Sequence, residues 1–177
     1  MERGVTKKNE EIFVDLLCPK NRMSTKAYKV VLVVVDVYSR YTTEYPLHSK
    51  NAHEVNKSTK RYITRAERHF PDYPVKKVFS GGGGEFVNAE MTAWYRSLGI
   101  ELLPNPPHSS HSNLCERAHH TLIHTMKSMM AAVKQLKSLW MEALEMATYL
   151  RNRVYCLSMK DIPYRMMMKK KPDLHGN

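Results

Sequence analysis

The sequence predicts one mixed α/β or α+β domain, a sheet of about five strands carrying helices on its faces. Three observations point there. The run Val30-Val31-Leu32-Val33-Val34-Val35 is a β-branched stretch suited to a strand buried on both sides. Two more strand-like segments flank it, each stopped near a proline, Pro19 and Pro46. Farther along, Leu114, Ala118, Leu122, Met126, Met129 and Val133 recur at helical spacing, and Trp140, Ala143, Leu144, Ala147 and Leu150 repeat the pattern. At 177 residues the chain fits a single core.

Taken in order, residues 12–17 read as the first strand, 30–35 as a central strand ended by Asp36, and 41–47 as the third. Strands so close in sequence suggest an antiparallel meander. Residues 52–69 then read as a helix stopped by Pro71 and Pro74, and 75–79 as a short strand before four glycines. A helix over 86–98 closes at Gly99, a strand follows over 100–103, and 104–113 reads as loop. The two long amphipathic helices come next. Beyond Arg153 the chain turns irregular, Met-rich and basic, so residues 1–10 are expected to be a polar extension, 11–154 the core and 155–177 a basic linker. No internal repeat is present.

Charge narrows the partners. Lys and Arg number 28 against 17 Asp and Glu, a formal net charge of +11, which favours a polyanion and in the first place nucleic acid. The aliphatic run is far too short to span a bilayer, and the charged start shows no signal peptide, so no membrane role is expected. Cys18, Cys115 and Cys156 are odd in number and widely spaced, which argues against a disulfide framework or a Cys-rich zinc site and for an intracellular protein with free thiols. The glycine run lacks the Lys-Ser/Thr of a phosphate-binding P-loop.

Four segments, in order, resemble the integrase catalytic cores of copia-type retrotransposons. They are Val14-Asp15-Leu16-Leu17-Cys18-Pro19 followed by Asp36 in Val35-Asp36-Val37-Tyr38-Ser39-Arg40-Tyr41; Ser80-Gly81-Gly82-Gly83-Gly84-Glu85-Phe86, similar to Ser-Asp-Asn-Gly-Gly-Glu-Phe; Pro107 through Arg117, similar to a Pro-rich loop leading into Asn-Gly-x-x-Glu-Arg; and Tyr149-Leu150-Arg151-Asn152-Arg153 with Ile162-Pro163-Tyr164 and Lys170-Lys171-Pro172-Asp173-Leu174. The resemblance implies an RNase H-like fold, with a mixed central sheet and helices on both faces. It also implies DNA integration by phosphodiester strand transfer, in which three carboxylates hold two Mg²⁺ (or Mn²⁺) ions. DNA as partner, a homodimer and a nuclear location follow from the same resemblance. The cysteine- and histidine-rich region preceding such cores, the protease and the reverse transcriptase are missing, so a piece of a longer polyprotein is expected.

Carried over position by position, the first metal ligand is Asp15 and the third is Glu116, while the second position holds Gly81, which has no side chain. The resemblance therefore also implies impaired catalysis, the alternative being a non-catalytic DNA-binding or scaffold remnant. Gly82 replaces the expected Asn, and the loop before Glu116 lacks the Gly after Asn113. Glu85, four residues beyond Gly81, could in principle substitute, although the family already has a Glu at this place alongside its Asp. Asp36, at a strand end, is read as structural. For DNA, Lys57, Arg61 and Arg65 recur at helical spacing, with Lys60 and Arg68 beside them; the penultimate long helix adds Arg117, His120 and Lys127. Glu116, His120 and His124 share a face that could suit zinc but reads more simply as solvated. Cys115 reads as a small buried residue.

Overall fold

In a computed structural model, the described residues are 5–19, 27–81, 83–104, 112–132 and 137–173. Gly82, residues 105–111, Val133 and Leu174, all used above, lie outside them. The five strands are β1 (Glu11–Leu17), β2 (Val30–Asp36), β3 (Thr42–Leu47), β4 (Lys77–Ser80) and β5 (Glu101–Pro104). The helices are α1 (Ala52–His69), α2 (Ala89–Ser97), α3 (Ser112–Ala132), α4 (Trp140–Arg153) and α5 (Pro163–Met168). Strand order is β3-β2-β1-β4-β5, antiparallel across the β1–β2–β3 meander and parallel from β1 through β4 to β5.

The Val-rich β2 is buried along its whole length, as its composition predicts. The middle strand is nevertheless β1, because the crossover through α1 lays β4 on its free edge. Pro46 is tolerated because β3 is an edge strand.

Alternation along β1 builds a core on each face of the sheet. Phe13 and Leu17 join Val31, Val33 and Val35 beneath α3 and α4, which contribute Leu114, Ala118, Leu122, Met126, Trp140 and Leu144. Ile12 and Val14 join Leu32 and Val34 beneath α1 and α2, which contribute Val55, Ile63, Met91 and Tyr95. Helix starts follow capping chemistry. The Asn51 side chain accepts a bond of 2.8 Å from the Glu54 amide, and Asn88 accepts one of 3.0 Å from that of Met91. The Asn88 cap explains why α2 begins three residues later than the periodicity suggests. Gly99, at φ +68°, supplies the left-handed stop after that helix.

The C-terminal stretch is not simply a linker. Pro163 stands at the first turn of α5 and is buried, and Met167 is 2% exposed. Lys8 Nζ donates 2.7 Å to the Met167 carbonyl and lies 3.8 Å over the Phe70 ring. The described segments on either side of the expected core, at Lys8 and over α5, therefore pack onto it. Likewise α3 already begins at Ser112, inside the segment expected to be loop.

Candidate metal-binding site

Asp15 sits near the C-terminal end of β1, on the face covered by α3. Its parallel neighbour β4 runs in register through Val14↔Ser80, so the next step sets Gly81 beside Asp15. A Cβ built on Gly81 would lie 3.8 Å from Asp15 Oδ1 and 3.9 Å from the Phe86 ring, in ordinary contact with both. The position expected to carry a carboxylate thus faces the first one, and it is bare. Asp15 Oδ1 itself accepts a bond of 2.8 Å from the Leu16 amide, which leaves Oδ2 turned toward α3.

What α3 presents there follows from its apolar stripe. Leu114, Ala118, Leu122 and Met126 point into the core, and the residues that follow the first two members of that stripe, Cys115 and His119, lie beside it at i, i+4. The Cys115 thiol donates weakly to Asp15 Oδ2 at 3.9 Å. His119 Nδ1 stands 3.6 Å from the same oxygen, and Nε2 is 3.8 Å from Cys115 Sγ. One ligand atom from each of Asp15, Cys115 and His119 falls within 4.8 Å of the other two, so these residues could hold a metal ion. Glu116, one residue farther round the helix, is exposed. Glu85 folds back against Gly83.

Burial pulls the His119 imidazole below its usual range, against the opposing pull of the Asp15 carboxylate. Burial thus favours the neutral imidazole, the form that can act as a ligand. Burial also pushes the Cys115 thiol up, and the negative charge of Asp15 adds to this. Asp36 is set apart from these groups. It is fully buried and accepts from the Asn9 amide at 2.7 Å and from the Ser39 amide and hydroxyl at 2.6 and 2.5 Å, a structural hub tying the N-terminus to the β2–β3 turn.

The basic residues fall on two surfaces. Lys57, Arg61, Arg65 and Arg68 are exposed along α1 and line one open depression. Lys60 also lines it, but it is held 2.6 Å from Glu90 of α2. On α3, Arg117, His120 and Lys127 are exposed, and His120 stacks on His124 at 6.3 Å. No helix among the described residues is long and apolar enough to cross a membrane.

The comparisons with known proteins agree with this architecture. No protein-family model matches the chain. The Pol polyprotein of transposon RE1 from Arabidopsis thaliana is 30% identical over 133 residues, 75% of this chain and 9% of that protein. The Pol polyprotein of transposon TNT 1-94 from Nicotiana tabacum is 28% identical over 163 residues, 90% of the chain and 12% of that protein. Among solved structures, the HTLV-2 integrase catalytic core in complex with magnesium superposes with a TM-score of 0.69 at 15% identity, covering 93% of this chain and 99% of that one. The chain is related to the Pol polyproteins of copia-type retrotransposons and has the fold of an integrase catalytic core. A chain of the simian T-cell lymphotropic virus intasome, solved in complex with the PP2A regulatory subunit B56 gamma, superposes with a TM-score of 0.72 at 17% identity over 99% of this chain and 59% of that one. The RNase H-like fold expected from the sequence motifs is thus the observed one. This integrase-type core spans about a tenth of the length of the polyproteins it matches.

The cysteine and histidine beside Asp15 were not singled out from the sequence as ligands. The signal was available: once 114, 118, 122 and 126 define the buried stripe, 115 and 119 must flank it, while 116, 120 and 124 turn outward.

Proposed function

We propose that this domain is a DNA-binding integrase core whose Mg²⁺-dependent strand transfer is impaired. The observation that carries the reading is the bare backbone at Gly81 opposite Asp15, where an added side chain would meet the carboxylate at 3.8 Å. A pair of hard divalent ions held 3.5 to 4 Å apart needs several oxygen ligands. Here the groups gathered at the strand ends are one carboxylate, a thiol and an imidazole. This donor set does not fit the two-magnesium arrangement.

DNA binding rests on the net charge of +11 and on the exposed rows of α1 and α3. Such contacts neutralise phosphates without reading sequence. Lys60 contributes less than its neighbours, being neutralised by Glu90. By likeness to its relatives the domain works in the nucleus, on DNA, as a homodimer or larger assembly.

The test measures DNA binding and end joining on one preparation with Mg²⁺ or Mn²⁺. Retained salt-sensitive binding without joining supports the proposal. Metal-dependent joining by the natural chain overturns the impairment, and absence of binding at low salt overturns the DNA role.

A further inference from the structure

We infer that Asp15, Cys115 and His119 form a three-ligand site for one borderline-soft divalent cation of the zinc(II) class. The site would take the place of the hard-ion pair that this donor set does not fit. Tetrahedral zinc with bonds near 2.0 to 2.3 Å sets its ligand atoms about 3.3 to 3.6 Å apart. With one ring nitrogen of His119 as ligand, the three ligand atoms lie within 4.8 Å of one another, and thiol and carboxylate are 3.9 Å apart, so closing on a metal needs side-chain adjustments of up to about an ångström. Thiolate and imidazole select such a metal over Mg²⁺.

The surroundings support the assignment. Cys115 and His119 lie one turn apart on a helix whose core face is fixed by Leu114, Ala118 and Leu122, so their spacing is held by the fold. The Leu16 amide binds Asp15 Oδ1 and orients Oδ2 toward the pair, as outer hydrogen bonds commonly orient metal ligands. The Asp15 side chain is 41% exposed, leaving the fourth position open to solvent, and Gly81 places nothing in the way. The carboxylate and the thiolate together neutralise a dication. On binding, the thiol proton leaves to the buffer as the metal–sulfur bond forms.

The test uses the full chain, free of DNA, so its outcome is independent of strand transfer. Co²⁺ serves as the spectroscopic probe and Zn²⁺ as its competitor. One equivalent of Co²⁺ should produce a thiolate charge-transfer band with the visible bands of a four-coordinate ion, and Zn²⁺ should abolish them. Cys115→Ala should lose the charge-transfer band although Cys18 and Cys156 remain. His119→Gln, which keeps the thiol, should bind more than about tenfold more weakly, since losing a direct ligand costs at least as much as losing an outer-shell partner. Far-UV circular dichroism confirms that each variant is folded. The absence of a charge-transfer band in the natural chain, or its persistence in Cys115→Ala, overturns the site; so does unchanged affinity in His119→Gln.

Discussion

Gly81→Asp should change both stability and its response to metal. The backbone there is outside the left-handed region, and the atoms nearest an added Cβ, Asp15 Oδ1 at 3.8 Å and the Phe86 ring at 3.9 Å, are at ordinary contact distance, so the side chain fits. The new carboxylate would stand roughly 5 Å from that of Asp15, where like charges repel by about 1 to 3 kcal/mol across effective dielectric constants of roughly 80 to 20. Removing a glycine returns about 0.4 to 1 kcal/mol through the unfolded chain. The net loss without metal is about 0.5 to 2 kcal/mol, or roughly 1 to 8 °C in Tm for a domain of this size. Two facing carboxylates suit Mg²⁺, and saturation at about 100 Kd would restore about 2.7 kcal/mol. Thermal unfolding in EDTA and in Mg²⁺ is the assay, with Gly81→Asn as the uncharged control. Expected are a low Tm in EDTA that Mg²⁺ raises for Gly81→Asp, and little Mg²⁺ response in the natural chain or in Gly81→Asn. Equal Tm values for the Asp and Asn variants under both conditions would show that position 81 does not face Asp15.

Other parts of the molecule give further expectations. Burial pushes the Glu44 carboxyl up to about 7, with Thr148 donating to it and Glu145 adding like charge. Its folded value lies above the unfolded one, so stability falls as pH rises from about 4.5 to 7 and is flat beyond. Glu44→Gln should remove that slope and stabilise the protein at pH 8 by up to about 3 kcal/mol, measured by urea unfolding across pH. Asp36→Ala leaves the Asn9 and Ser39 donors buried without their acceptor and should cost about 3 kcal/mol or more, read as a lower urea midpoint at an unchanged slope. Arg61→Ala with Arg65→Ala should weaken binding equally for unrelated DNA sequences and reduce the log–log salt slope by up to about 2; an unchanged slope would remove α1 from the interface.

The fold was legible because its signals are local. A β-branched run has few alternatives to a buried strand, and the stripes of α3 and α4 repeat over several turns. Strand order was less legible: β1 is central because of a crossover that leaves no mark in its own residues. The short helix α5 has no repeating stripe; a residue distant in sequence, Lys8, holds it, beside the local Asp161–Arg165 pair at 2.6 Å. At the site, Asp15 and Gly81 were found through motif position, and strand register sets them side by side. Cys115 and His119 were not legible as ligands because the more conspicuous ligand spacing belongs to Glu116, His120 and His124, whose common face is the outward one. Ligand sets assembled from two elements depend on helix rotation against the sheet, and that rotation is set by packing.

The central claim, that Gly81 is the defect, is tested most directly by strand transfer with Mg²⁺ in the natural chain, in Gly81→Asp and in Gly81→Asp with Gly82→Asn. A fourth protein adds a Gly after Asn113, where the sequence lacks the glycine its relatives' motif carries. The natural chain should be inert. A carboxylate at position 81 should restore measurable joining, because charge neutralisation at the attacking and leaving oxygens is the interaction on which such catalysis depends most. Full recovery is expected only with the inserted glycine. Mg²⁺-dependent joining by the unmodified chain would contradict the account, and so would continued inactivity of every repaired variant that folds and binds DNA.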